Sequence, residues 1–312
     1  MAVTAPVPGT APLARPEPAG AEVVVGRKRE WPLALLLLAP SLALFGVFVF
    51  YPLVRTIQLG LYRSDPFGGT SYVGLERYGD VLGSEDFRSS LGVTLRFTLL
   101  TVPAGLALGL GLAVLAHQRL RGIGIYRTIF SSTVATSVAV ASLMWITLLN
   151  PSVGIINGFL EELGQDRISF LTDPAWALPA VSFATVWQNL GFTFIVMSAG
   201  LQSIPDELLE SARIDGAGPW RRFRSVTLPL LSPTVLFAFV VLTINAFQSF
   251  GQIDLLTEGG PLGRTEVIVY DIFKEASRDP STAAAEAVVL FAILLVLTIV
   301  QLRVLERRVF YG

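Results

Sequence analysis

Six long stretches of the chain carry no charge, and polar segments separate them. They are Trp31–Val54, Phe97–Ala116, a stretch from Thr128 to Asn150-Pro151, one within Pro174–Pro205, one within Ser225–Ile253, and Ala287–Leu302. A helix crosses the hydrocarbon core with about 20 mostly apolar residues. The last run is short but extends through the small residues Thr282–Ala285. Lipid offers no hydrogen-bond partner to the backbone, so each run is predicted to be helical. The pattern predicts an all-α polytopic membrane protein with six transmembrane helices.

Composition agrees. Of 312 residues, 52% are hydrophobic and 15% charged, against about 25% charged in a soluble domain. The mean hydropathy is +0.62. A net charge of -1 supplies no field for nucleic acid. Cysteine is absent and His117 is the single histidine, so neither a metal site nor a cofactor is expected. His117 itself reads as a solvated residue at a helix end. The first 26 residues, rich in Ala, Pro and Gly, read as a disordered tail that the "RKRE" run closes at Glu30. Residues 31–312 then form the membrane domain. The first run, Trp31–Val54, is longer than the apolar core of a cleaved signal peptide, about 7–15 residues, and is read as a retained span.

Charge sets the direction. With the N-terminus inside, fourteen of the 23 Lys and Arg residues fall inside and eight outside, with Arg96 at a boundary. Sixteen of the 24 acids fall outside. By the positive-inside rule both termini are cytoplasmic. Three long polar loops, near Arg55–Leu91, Pro151–Asp173 and Asp254–Glu286, then face outward.

One inside segment, 203–229, is unusually polar: "ESARIDGAGPWRRFRSVTLPLLSP" runs from Glu210. Ser203, Pro205, Asp206 and Glu207 predict a helix start, and the helix is expected to end near Ile214. "DGAGP" breaks it, because glycine permits the turn. Pro219 then opens a second short helix, with Trp220, Phe223 and Val226 on one face and Arg221, Arg222 and Arg224 on the other. The segment reads as a solvated topology loop on charge alone. Small residues and exposed aromatics beside the break favour a partner interface.

Glu210-Ser211-Ala212, three residues, Gly216, nine residues, then Val226-Thr227-Leu228-Pro229 resembles the signature loop of permease subunits of binding-protein-dependent ATP-binding-cassette importers. The family pattern has Ala where Ser211 stands and Ile where Val226 stands. The resemblance covers Trp31 to the C-terminus. "GLQSIPDELLESARIDGA" (Gly200–Ala217) and "NAFQSFGQIDLLTEGGP" (Asn245–Pro261) resemble the sugar-importer branch, and "QLRVLERRVFYG" resembles its glycerol-3-phosphate permeases. It implies the type I permease fold in a bacterial cell membrane. It also implies three partners: an ATPase dimer, a second homologous permease and an extracytoplasmic substrate-binding protein. By position it assigns Glu210, Ser211, Ala212, Asp215 and Gly216 to ATPase coupling, extended to Trp220 and Phe223.

A translocation path needs inward polar groups. Asn245, Gln248 and Gln252 fall at i, i+3 and i+7, so one helical face carries three amides. Trp145 and Asn150 in the third run, and Trp187, Gln188 and Asn189 in the fourth, join them. Amides bond hydroxyls and indoles cover C–H faces, as a sugar or polyol requires. Helix-to-helix hydrogen bonding is the alternative use of these groups. Arg96 reads as a snorkelling anchor or a greeting for phosphate, and Glu286 as an anchor. Gly105, Gly109 and Gly111 read as close helix packing. The expected solute is glycerol-3-phosphate or a glycerophosphodiester, with an oligosaccharide as the alternative.

No Gly-x-x-x-x-Gly-Lys-Ser/Thr loop occurs, so ATP hydrolysis belongs to a separate subunit. A stand-alone secondary transporter usually shows internal repeats and intramembrane ionisable residues. An intramembrane enzyme needs a nucleophile–base pair or metal ligands. The chain offers neither set.

Overall fold

The computed structural model describes residues 31–64, 69–118 and 121–306. The expected tail, residues 1–30, and the end of the chain after Glu306 lie outside the described residues. The chain divides into two compact units at Pro52/Leu53. The first contains α1 (Trp31–Phe45) and a π-helical turn, Gly46–Phe50. Helix α2 (Tyr51–Leu59) carries the apolar run into the second unit, which is described from here on.

A hairpin pairs Tyr62–Ser64 with Thr70–Tyr72, and the Tyr62 and Tyr72 rings meet edge to face at 5.5 Å. This is a small departure from an all-helical chain. Then come α3 (Glu76–Gly83), α4 (Glu85–Ala116), α5 (Ile123–Ser131), α6 (Val138–Leu148), α7 (Ile155–Glu162) and α8 (Ala177–Gln202). After them follow α9 (Asp206–Ile214), α10 (Pro219–Arg222), α11 (Leu228–Leu230), α12 (Ser232–Phe247), α13 (Gly251–Leu256), α14 (Ile268–Ala276) and α15 (Pro280–Glu306). Among the described residues four helices are long and apolar enough to cross a membrane, or six if each of two bent pairs counts as one span.

Counting each bent pair as one span gives the six that the sequence predicts. The third run breaks by 105° between Ile123–Ala135 and Val138–Leu148. Thr136 is extended, and Ser137 starts α6 by accepting the Val140 N–H at 3.3 Å. The fifth turns by 67° where Pro219–Leu230 meets Ser232–Phe247. Its second part ends at Phe247, inside the expected range Ser225–Ile253. The predicted outer loops are not featureless either: they contain the hairpin, α3, α7, α13 and α14.

Helix α8 is the central element, packed along α4 and bordered by α12. In a bilayer apolar burial gives little drive to associate, so small residues decide how closely helices approach. A Cβ on Gly109 of α4 would stand 2.4 Å from Thr193 Cγ2 of α8. One on Gly200 would stand 2.5 Å from Thr234 Oγ1 of α12. Gly105 leaves ordinary contact with Leu242 at 3.6 Å, whereas Gly111 meets nothing within 4 Å among the described residues.

Helix α4 starts with Ser84 accepting the Phe87 N–H at 3.2 Å, backed by Glu85 and Asp86 in the first turn. Its 32 residues extend for about 48 Å. At its start, Thr94 Oγ1 accepts the Ile268 N–H at 2.8 Å and Ser90 Oγ donates to Asp271 at 2.8 Å, fixing α14. Arg77 pairs with Asp279 at 2.7 Å, tying α3 to the start of α15. At its other end, Val114 and exposed His117 face Leu209 and Arg213 of α9. The α14 end and the α9 end therefore lie at opposite ends of the bundle.

Candidate functional site

Two places carry the predicted residues. The first is the hinged pair α9–α10. Helix α9 spans Asp206–Ile214, as the sequence predicts, and opens at Pro205 with Asp206 and Glu207 in its first turn. Leu209 packs against the buried cluster of Met197, Leu201 and Leu231, which seats α9 on α8 and α12. The helix closes with Ser211 accepting from Asp215 N–H and Ala212 from Ala217 N–H, both at 3.0 Å. Gly216 has φ +73° with open space around its missing Cβ. Backbone conformation, not crowding, thus demands glycine at the joint.

Glu210, Ser211, Asp215 and Gly216 are exposed, while Ala212 is half-buried. Trp220 is 70% exposed and stacks on Phe223 at 5.7 Å. Phe223 is half-buried in a groove of about 170 Å³ between α9, α10 and the ends of α4 and α8. Arg222 turns into the same groove, with its Nε buried and without a hydrogen bond among the described residues. This corrects the reading that put Arg222 with Arg221 and Arg224 on a polar face. A π-helical turn, Phe223–Thr227, joins α10 to α11; such turns are rare and frequent at functional sites.

The second place is a polar cluster where α6, α8 and α13 meet. Gln252 Nε2 donates to Gln188 Oε1. Gln188 Nε2 donates to the Thr136 carbonyl at 3.3 Å, at the 105° break. Trp145 is buried, edge to face with Phe183 at 5.2 Å and Trp187 at 5.9 Å. Its Nε1 has no partner among the described residues, nor do the buried hydroxyls of Ser142, Ser182 and Ser249. Buried polar atoms without partners are uncommon and call for an explanation.

The expected amide stripe does not form. Helix α12 ends at Phe247, Gln248 caps it, and Phe250 has φ −131° and ψ −60°, so α13 starts on a new axis. Asn245 and Gln248 are exposed, whereas Gln252 points inward. Asn150 shapes a turn instead, accepting from Ser152 and Val153 N–H groups at 2.9 and 3.1 Å. Asn189 is half-buried, and its carbonyl accepts from Thr193. Glu286 is not an anchor at the surface: it is 6% exposed. Arg96 is exposed on α4.

Sequence reading passed over Thr133, whose Oγ1 accepts the Gly191 N–H at 2.8 Å. A Cβ on Gly191 would stand 2.6 Å from that oxygen. It also passed over Gly251, where a Cβ would meet Val138 Cγ1 at 2.6 Å. A glycine inside a polar stretch was the available signal for the break before α13.

Residues 102–311 match the family described as binding-protein-dependent transport system inner membrane component. The chain belongs to that family. It is an importer permease component and a multi-pass membrane protein, and α9, α10 and the polar cluster all lie within the matched residues. The sn-glycerol-3-phosphate transport system permease protein UgpA of Agrobacterium fabrum (strain C58 / ATCC 33970) is 38% identical over 284 residues, covering 90% of this chain and 97% of the relative. The protein of the same name from Yersinia enterocolitica serotype O:8 / biotype 1B is 39% identical over 283 residues, covering 89% and 96%. Among solved structures, a bacterial ABC transporter involved in the import of the acidic polysaccharide alginate aligns with a TM-score of 0.78 at 27% identity, covering 90% of this chain and 96% of the other. The alginate transporter in complex with an alginate pentasaccharide-bound periplasmic protein aligns at 0.75 and 26%, with the same coverage.

Proposed function

We propose that the chain, through residues 31–312, forms half of the translocation path of an ATP-driven importer for glycerol-3-phosphate or a glycerophosphodiester. Its partners are an ATPase dimer, a second permease of similar fold and an extracytoplasmic substrate-binding protein. Both termini, α9 and α10 face the cytoplasm. One observation carries the reading: an exposed, glycine-hinged helix pair packs through Leu209 against the buried cluster at the ends of α4 and α8. Glu210, Ser211, Ala212, Asp215 and Gly216 face the ATPase, and the Trp220–Phe223 stack completes the contact. Movement pressed on α9 passes through Leu209 into the bundle.

The polar cluster is the solute's station. Gln188 and Gln252 meet hydroxyls, and the unpartnered Trp145 N–H offers a donor. The substrate assignment draws support from the relatives named as sn-glycerol-3-phosphate permeases. A second reading, an oligosaccharide, draws support from the alginate importer. Uptake into vesicles carrying the assembled complex tests both. Labelled glycerol-3-phosphate is expected to accumulate only with ATP and the binding protein. Accumulation of a labelled oligosaccharide but not of labelled glycerol-3-phosphate would select the second reading; uptake without ATP contradicts both.

A further inference from the structure

At the end of the bundle opposite α9, a cavity of about 560 Å³ opens between α3, α4, α14 and α15. Six carboxylates and three cations line it. Several are already paired: Asp80 with Arg63 at 2.9 Å, Glu266 with Lys274, and Arg77 with Asp279 outside the lining. That leaves Asp86, Asp271, Glu275 and Glu286 facing Arg278. By formal charge, four acids face one cation.

The second observation is Glu286. It is 6% exposed, lines the cavity from the second turn of α15, and its Oε2 has no hydrogen-bond partner among the described residues. A buried carboxylate oxygen left without a donor is costly, and a cation entering the cavity would relieve it. Asp271 beside it is held above the ordinary carboxylate range, first by burial, against the Ser90 hydrogen bond. Among the described residues no three carboxylates or histidines gather as a metal site, so the arrangement suits an organic cation. The cavity mouth also bears Leu262, 89% exposed on the loop before α14. An exposed leucine beside a charged recess suits a protein surface.

We propose that this cavity receives one ammonium or guanidinium side chain of the extracytoplasmic substrate-binding protein, with Glu286 as the carboxylate that meets it. The proposal rests on the importer reading above, which places this end of the bundle outside. The charge of the cavity selects the partner's basic side chain, and Leu262 supplies the apolar contact at its lip.

The test uses the full complex in lipid nanodiscs with its cognate binding protein, following ATPase stimulation against binding-protein concentration. Glu286→Gln is expected to raise the half-maximal concentration at least about tenfold, with basal and saturated rates kept. Glu275→Lys, at the half-buried rim, is expected to weaken docking most at low salt, the difference narrowing as salt rises. Reversing the matching basic residue of the binding protein restores docking to Glu275→Lys, which a structural defect would not allow. Unchanged half-maximal concentrations in both variants overturn the proposal, as does a lowered saturated rate with unchanged docking. If Glu286→Gln fails to assemble, Glu275→Lys and its rescue decide. A wild-type complex indifferent to the binding protein would contradict the importer reading itself.

Discussion

Gln252 on α13 donates a side-chain hydrogen bond to Gln188 on α8, and this contact holds a short helix on a new axis after α12 has ended. Gln252 satisfies the Gln188 oxygen, and the Thr136 carbonyl holds the Gln188 amide nitrogen. Removing one amide strands the other. Gln252→Leu is expected to destabilise the protein by about 1–3 kcal/mol. Adding Gln188→Leu is expected to cost less than the sum of the two single changes. Thermal unfolding of the purified variants checks this, and uptake should fall in all three.

Gly216 adopts φ +73°, which proline cannot reach and alanine reaches at a cost of about 1 kcal/mol. Gly216→Pro is expected to abolish uptake while the protein still inserts into the membrane. Gly216→Ala should keep most uptake, and Gly216→Asn should keep more, because asparagine tolerates this conformation. Parallel measurement of membrane content and transport separates coupling from insertion.

Gly109 and Gly111 sit two residues apart and predict opposite results. Gly109→Ala places a methyl 2.4 Å from Thr193 and forces α4 from α8. The expected loss is about 1–3 kcal/mol. Gly111→Ala meets nothing within 4 Å and should leave the unfolding temperature in detergent unchanged.

The Asp279 carboxyl is raised by burial, but the Thr282 hydroxyl and then Arg77 outweigh this and hold it below the usual range. A lowered folded value adds stability above the unfolded carboxylate range and loses it as pH falls through the folded value. Asp279→Asn should therefore cost roughly 2 kcal/mol at neutral pH, with the gap closing in acid. Asp271 is shifted the other way, chiefly by burial. Asp271→Asn should be close to neutral in acid and increasingly stabilising as pH rises past the ordinary carboxylate range. Unfolding of both variants across pH separates the two signs.

Much of this was legible in the residues. Apolar run length predicts the spans because a backbone in lipid must satisfy itself. Acids after Pro205 and the glycines after Asp215 predict α9 and its end, since helix termini have local chemistry. The break at Thr136 was not legible, and the one after Phe247 was signalled only by Gly251 within a polar stretch. An uninterrupted apolar run suits a straight or a broken helix equally, and the deciding contacts, Gly251 on Val138 and Gly191 under Thr133, are tertiary. Glu286 differs for a related reason: a charge near a span's end is usually solvated, and tertiary packing of α3, α4 and α14 around α15 buries this one. The site was legible as residue types. Asn245 and Gln248 lost their place because the helix they shared with Gln252 ends before it.

The central claim is that α9 and α10 receive the work of ATP hydrolysis. The sequence contains no cysteine, so Asp215→Cys gives one unique thiol beside the joint. The decisive measurement is cross-linking of that thiol to the ATPase subunit in inside-out vesicles, with a membrane-impermeant maleimide reporting its side. The account predicts a cross-link to the ATPase and labelling from the cytoplasmic side. Labelling only from the opposite side, or a complex that transports yet never cross-links there, would contradict it.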